Sequence, residues 1–540
     1  MGLGIIEPKG VDYVPGTAIL YQTKGSAEPE SPRIEDSSDS DSLRLIPVPS
    51  ASPRDPLNWP KWKKDLTFFS ICYMVIMGTL VGPTLSSVNG VLVEELHVTF
   101  NQVSLLTGCE FIASACTALI YQTVAKVWGK RPVYIFATLS MFVGVVWNAC
   151  LKMSYVQFMT ARTFQGLGLG AFETLPPSSI GDLFFVHQRG KRVAFFNMTF
   201  FGLSYLSPII GGYIAQKYGW QMQFKIIAAF CAVGVVLILF FCPETAYNRP
   251  AVADDSQSQD LTARDQNEKQ VLTTSDSPAA DSAFKTWLRE LSPYNGRFSD
   301  ERIVKIFLRP FAAMIYPAIL WAFMLQGTVH CWSIGVSIMM AQLFAGPPLN
   351  FGPAQLGYIY AFPAVASLFA YLLGLFLSDW VLKVAARRNN GVAEPEFRLF
   401  FTVGVLVFGA PGLFAFGRYA ALGTGPDASG ANVSWVLISF FYGMIVFGLV
   451  CACTATFSYL LDAHRAFSAE FMIALVVLRN MFAFGGTYFM PTWLETGGPE
   501  QMFYSMGGIL FAGCLLTIPM YVYGKVYRNY FHRHNLLLLL

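Results

Sequence analysis

Apolar residues fall into long, nearly unbroken runs separated by short polar turns. A helix crossing a bilayer needs about 20 mostly apolar residues, and hydropathy finds about twelve stretches of that kind. They cover 66–88, 103–125, 133–151, 155–180, 193–214 and 224–241, then 311–336, 356–377, 399–416, 435–461, 471–493 and 503–522. A polar interval from Asn248 to Arg309 splits them six and six. The pattern predicts an all-α membrane protein of two six-helix bundles. Its parts are a disordered tail (1–65), a first bundle (66–245), a central loop (246–308), a second bundle (309–528) and a short tail (529–540). In the loop, Phe284, Trp287, Leu288 and Leu291 recur at helical spacing with Lys285, Arg289 and Glu290 between them. That spacing predicts a short amphipathic helix, on the membrane surface or packed on the protein.

Composition removes the soluble alternative. Of 540 residues 54% are apolar and 13% charged, against about 25% charged in soluble domains. The formal charge of +3 comes from 37 basic and 34 acidic residues without a basic stripe, so no nucleic-acid partner is expected. The ten Cys are dispersed, with no CxxC pair and no Cys/His spacing for zinc; they read as packing residues, and no metal or cofactor is expected. No nucleotide loop or nucleophile constellation points to an enzyme. The first apolar run starts near Leu66, too late and too long for the core of a cleaved leader. Acids and serines alternate over 35–42, which predicts disorder and either a solubilising tail or a context suited to phosphorylation.

Lysine and arginine fix the expected orientation. One set of ends carries Lys61, Lys63, Lys64, Lys126, Lys130, Arg131, Arg189, Lys191, Arg192, Lys383, Arg387, Arg388, Arg398 and Lys525. The opposite loops carry little beyond Lys152, Lys217 and Arg418. Both tails and the central loop are therefore expected in the cytosol. Asn432-Val433-Ser434 then falls in an external loop as a glycosylation acceptor.

The turn Trp128-Gly129-Lys130-Arg131-Pro132 links the second and third runs. It resembles the hallmark loop of the major facilitator superfamily in its fungal form, in which a glycine turn presents basic groups to helix C-termini and acidic partners. This chain departs from the pattern at Lys126, where an acid is usual, so the charge latch between the halves is expected to be rewired or weak. Leu377-Ser378-Asp379 echoes the same loop in the second half and supplies the acid there. Arg162-Thr163-Phe164-Gln165-Gly166 matches the family's RxxQG motif. Ser207-Pro208-Ile209-Ile210-Gly211-Gly212 resembles the GPxxGG signature of antiporters, with Ser207 in place of Gly. Pro243-Glu244-Thr245 closes the sixth run as in the drug:proton antiporter-1 branch. The resemblance covers roughly Asp55 to Arg528 and implies two pseudo-symmetric halves that rock about a central site.

Charges within membrane spans are costly and are functional candidates. Arg162 and Glu110 lie at similar counts into the fourth and second runs, which permits an Arg–carboxylate pair about 12 Å deep at 1.5 Å per residue. Glu173 follows Arg162 by 11 residues, close to three turns, and so shares its face. Glu110 is the first candidate for proton coupling and Glu173 the second. In the second half, His330 suits proton traffic, and Arg479-Asn480 interrupt the eleventh run, where Arg479 needs a partner or a wet cavity. Tyr205, Trp321, Phe323, Trp332, Tyr360 and Phe362 are candidates for an apolar cavity wall. The coupling apparatus is thus expected mostly in the first half, with the second setting substrate shape. The resemblance implies a monomeric, multi-pass plasma-membrane transporter that exports a small organic molecule against protons. The alternative is proton-coupled uptake of a cationic nutrient such as a polyamine.

Overall fold

A computed structural model describes residues 4–7, 14, 16–19, 55–151, 154–247, 291–292, 294, 296–299, 301–424, 433–464 and 467–534. The serines at 35–42, Asn432 and nearly all of the amphipathic helix expected in the central loop lie outside these residues. In the first half run α1 (Lys61–Val81), α2 (Phe100–Trp128), α3 (Arg131–Ala149), α4 (Tyr155–Thr174), α5 (Leu206–Tyr218) and α6 (Trp220–Phe241). In the second run α7 (Thr328–Phe344), α8 (Ala361–Arg388), α9 (Ala410–Thr424), α10 (Trp435–Ala463), α11 (Ser468–Leu515) and α12 (Thr517–Arg533).

Among the described residues, 10 stretches are long and apolar enough to cross a membrane. α4 is not one of them, because Arg162, Gln165, Glu173 and its glycines lower its hydropathy. The last stretch, Ser468–Arg533, leaves helical geometry at Gly498 (φ 70°, ψ 167°), directly before Pro499. The expected run 155–180 breaks after Thr174, and Pro176 opens a new helix, Pro176–Leu183, as a proline at a first helical position favours. The run expected from Phe311 starts instead at Pro317. Ahead of it, the separate helix Ile303–Ala313 brings Phe307 against a cluster of Ala115, Ala118, Leu119, Ile473 and Val477.

The halves meet along α2 and α11. At the basic end, Lys126 Nζ lies 3.2 Å from Glu470. At the other end, Asn101 Nδ2 donates to Thr492 Oγ1 at 2.6 Å. Between them, Gly108 lets the helices close, since a Cβ there would sit 2.2 Å from Thr487 Oγ1. α2 starts on a capping box, with Thr99 accepting from Gln102 N and Gln102 Oε1 from Thr99 N at 2.9 Å.

Part of the N-terminal stretch expected to be disordered is ordered. Ala18 and Ile19 pair antiparallel with Ala393 and Val392, Thr17 Oγ1 donates to Glu394 at 2.9 Å, and Ile5 and Val14 are buried. The isolated apolar residues of the tail find cover on the basic end of the second half, where Ile6 N donates to Val522 O.

Candidate transport site

Arg162 Nη1 donates to Glu110 Oε2 at 3.1 Å and to Val81 O at 3.0 Å. Both side chains are fully buried, and the guanidinium lies over the Phe224 ring at 5.5 Å. The pair expected from equal depth is therefore present. α4 approaches α2 closely because Gly166 and Gly170 face it: a Cβ at Gly166 would sit 2.3 Å from Glu110 O, and one at Gly170 2.3 Å from Thr117 Oγ1. The GxxxG spacing brings the two backbones together, and this sets the reach of Arg162.

Glu173 and Arg479 find each other across the halves. Arg479 Nη2 donates to Glu173 Oε1 at 3.3 Å, and Asn480 Nδ2 to Oε2 at 2.6 Å. Ser114 Oγ donates to the same Oε2 at 2.9 Å. Both charged side chains are buried, at 2% and 3% exposure, and the Arg479 guanidinium sits 5.9 Å and 5.8 Å from the Phe200 and Phe201 rings. The charged cluster thus spans both halves, with Glu110, Arg162 and Glu173 from the first and Arg479 from the second. Arg479 has the partner that its cost in a membrane span requires.

A cavity of about 110 Å³ lies between the halves. Glu110, Glu173 and His330 all line it, with Tyr205, Tyr360 and Tyr442. Hydrogen bonds tie the tyrosines to α7: Tyr205 Oη to Ser333 Oγ at 3.2 Å, Tyr442 Oη to Ser333 O at 3.2 Å, and Tyr360 Oη to Ser337 Oγ at 2.7 Å. His330 is flanked edge-on by Phe111 and Phe201, and neither ring nitrogen has a hydrogen-bond partner among the described residues. Of the six aromatics proposed for the wall, Tyr205 and Tyr360 line this cavity. Trp321 instead donates to Thr517, Phe323 and Trp332 pack on Phe482, and Phe362 packs on Phe440. Gln165, also expected at the cavity, is buried against Gly144 of α3. It lies three residues from Arg162, which turns it about 60° from that face.

The hallmark loop is held within the first half. Gly129 has φ 99°, and Glu244 closes on it. Glu244 accepts from Lys130 N at 2.9 Å and Arg131 N at 3.0 Å, a carboxylate on a helix N-terminus. Arg131 donates to Cys242 O, and to Leu239 O at 2.8 Å, at the C-terminal end of α6. Lys130 Nζ lies 2.5 Å from Asp182. Lys126, where the latch is expected to be rewired or weak, pairs across the halves with Glu470. Asp379 lies within α8, and its side chain is outside the described set. On the opposite end, Ser207 Oγ donates to Leu80 O at 2.7 Å, and Pro208 and Gly212 close on the second half. A Cβ on Gly212 would meet Pro353 O at 2.3 Å, and one on Gly357 would meet Pro208 O at 2.4 Å. Gly211 O accepts from Gln223 Nε2 at 2.7 Å.

The profile described as Major Facilitator Superfamily matches residues 67–469, across both halves. The chain belongs to the major facilitator superfamily. It is 25% identical over 562 aligned residues to the uncharacterized MFS-type transporter C1271.10c of Schizosaccharomyces pombe, covering 97% of this chain and 94% of that one. It is 22% identical to the citrinin biosynthesis cluster MFS transporter mrr1 of Monascus ruber, covering 88% and 89%. The fold matches the crystal structure of a D-xylose-proton symporter at a TM-score of 0.54 and 14% identity, over 86% of this chain and 98% of that one.

As a major facilitator transporter, the chain is an integral multi-pass membrane protein with a small-molecule substrate. Its sequence reading missed Ser114, Ser333, Ser337, Tyr442, Phe111, Phe200 and Phe201. Two had a signal in spacing: Ser114 follows Glu110 by four residues on α2, and Ser337 follows Ser333 by four on α7. Each pair shares one helix face.

Proposed function

We propose that this protein is a proton-coupled transporter that exports a small organic molecule, a secondary metabolite or toxicant, across the plasma membrane by alternating access. The observation that carries the reading is the central cavity with two membrane-embedded carboxylates on its wall, each backed by an arginine. A cavity of about 110 Å³ is smaller than the roughly 300 Å³ at which drug-sized ligand sites begin. It must open for cargo to enter. The halves touch at Lys126–Glu470 on the basic end and at Gly212–Pro353 on the other, and opening either contact admits one side of the membrane.

Twelve crossings follow if α4 spans and if α11 turns at Gly498. Both termini then lie in the cytosol on the charge asymmetry of the loops. Assignment to the drug:proton antiporter-1 branch rests on the motif at Ser207–Gly212 and on Pro243-Glu244-Thr245. A relative encoded in a citrinin biosynthesis cluster favours a metabolite as cargo. Glu110 is the proposed proton carrier, because it faces the cavity while its charge partner belongs to the same half and moves with it.

Export by cells expressing Glu110→Gln tests this. The variant is expected to lose dependence of export on the proton gradient, and unchanged dependence removes Glu110 from the coupling. Cation uptake is the second reading, favoured by the same two carboxylates. Failure of a deletion strain to take up spermidine would select it.

A further inference from the structure

We propose that the central cavity selects an organic cation, and that Glu173 binds it by exchanging Arg479 for the cation, so that occupancy loosens the buried ion pair joining the halves. The inference rests on the reading of this cavity as the transport site, and it holds for either direction of transport.

The wall has one sign of charge. Glu110 and Glu173 contribute to it, while Arg162 and Arg479 stand behind them, and no lysine or arginine lines the cavity among the described residues. The remaining polar lining is hydroxyl groups and His330. Phe111, Phe200, Phe201, Tyr205, Tyr360 and Tyr442 add aromatic rings. Carboxylates and ring faces both favour a cation in a desolvated site. An anion would meet two carboxylates on the wall, with both arginines held behind them.

The two carboxylates differ in how they can exchange partners. Glu110 and Arg162 both belong to the first half, and Arg162 is also fixed to Val81 O. Releasing that pair changes nothing between the halves. Glu173 Oε2 is doubly held, by Asn480 and Ser114, whereas Oε1 has one long contact, with Arg479 at 3.3 Å. A single-point contact at that distance is weaker than a two-point fork. Arg479 also keeps a second set of partners: its Nε donates to Asn480 Oδ1 at 3.3 Å, and its guanidinium lies near the Phe200 and Phe201 rings. A cationic headgroup entering at Oε1 therefore displaces Arg479 without leaving it bare. Among the described residues, Glu173–Arg479 is the one ion pair between the halves with both side chains under 5% exposed. The substrate thus acts on a buried ionic contact between the halves, and contact and binding site share one oxygen.

Binding to the purified full-length protein in lipid nanodiscs tests this, with tetraphenylphosphonium and spermidine as cations and tetraphenylborate as the anion shaped like the first. At least one cation is expected to bind, and tetraphenylborate is not. Glu173→Gln should weaken cation binding about 10- to 100-fold, the loss of one charge-assisted contact. Arg479→Gln removes the competitor and should tighten it severalfold, which a purely structural role for Arg479 would not do. Should Arg479→Gln not fold, Glu173→Asp keeps the charge and should bind about tenfold tighter than Glu173→Gln. Binding of tetraphenylborate alone, no binding of either cation, or unchanged affinity in Glu173→Gln overturns the proposal. Binding is read without a proton gradient, so its failure leaves proton-coupled export standing. Cation binding without proton-dependent transport does the reverse.

Discussion

Single residues carry the tightest constraints in this molecule. Gly129 has φ 99°, and a Cβ there would lie 2.3 Å from Glu244 Oε2, the oxygen that accepts from Arg131 N. Gly129→Ala is expected to cost about 1–3 kcal/mol through backbone strain, and more if Glu244 is pushed off the helix end. Thermal unfolding of the variant in detergent checks this. Arg162→Met leaves Glu110 buried without its partner and should destabilise by about 3–5 kcal/mol. Adding Glu110→Gln should recover most of that loss in the same measurement. The residue scale is also where the sequence was most and least legible. Arg162 and Glu110 could be paired from depth alone, because one rise per residue fixes depth in a membrane helix. Glu173 and Arg479 could not, since they lie 306 positions apart on different halves and no periodicity relates two bundles. The flaw in placing Gln165 at the cavity was rotational: a motif shows that a residue is retained, not which neighbour its side chain meets.

At the scale of elements, two seams join the halves and make separate predictions. Gly212 and Gly357 allow α5 to close on the second half through backbone contacts with Pro353 and Pro208. Gly212→Val is expected to hold that seam open and stop transport while the protein still folds. A single cysteine at Ser337 should then react faster with a membrane-impermeant thiol reagent applied from outside. The other seam includes Lys126–Glu470, in which Lys126 is about one-third exposed. Partly solvated pairs contribute roughly 0.2–1 kcal/mol, so Lys126→Glu should slow transport only a few-fold. The exchanged pair, Lys126→Glu with Glu470→Lys, should restore the initial rate. Element positions were largely legible, because long apolar runs have few other uses. Their ends were not: Pro176 and Pro317 start new helices within or beside apolar sequence, and hydropathy is blind to such breaks. The resemblance supplied the loop motif. Only packing showed that Glu244, 115 positions after Gly129, completes it.

The whole molecule combines two bundles, contacts at both ends and a small charged cavity between them. Under the proposed mechanism, export depends on two linked equilibria: which end is open, and what occupies the carboxylates. The seams govern the first, and Glu110 and Glu173 the second. Accumulation in a deletion strain measures both together most directly. Cells lacking the gene are loaded with candidate metabolites and lipophilic toxicants, with and without a protonophore, and compared with cells carrying the wild-type chain. The account predicts that at least one compound accumulates in the deletion strain, that the wild-type chain lowers its level, and that the protonophore abolishes this lowering. Export by the wild-type chain that persists unchanged in the protonophore would contradict it.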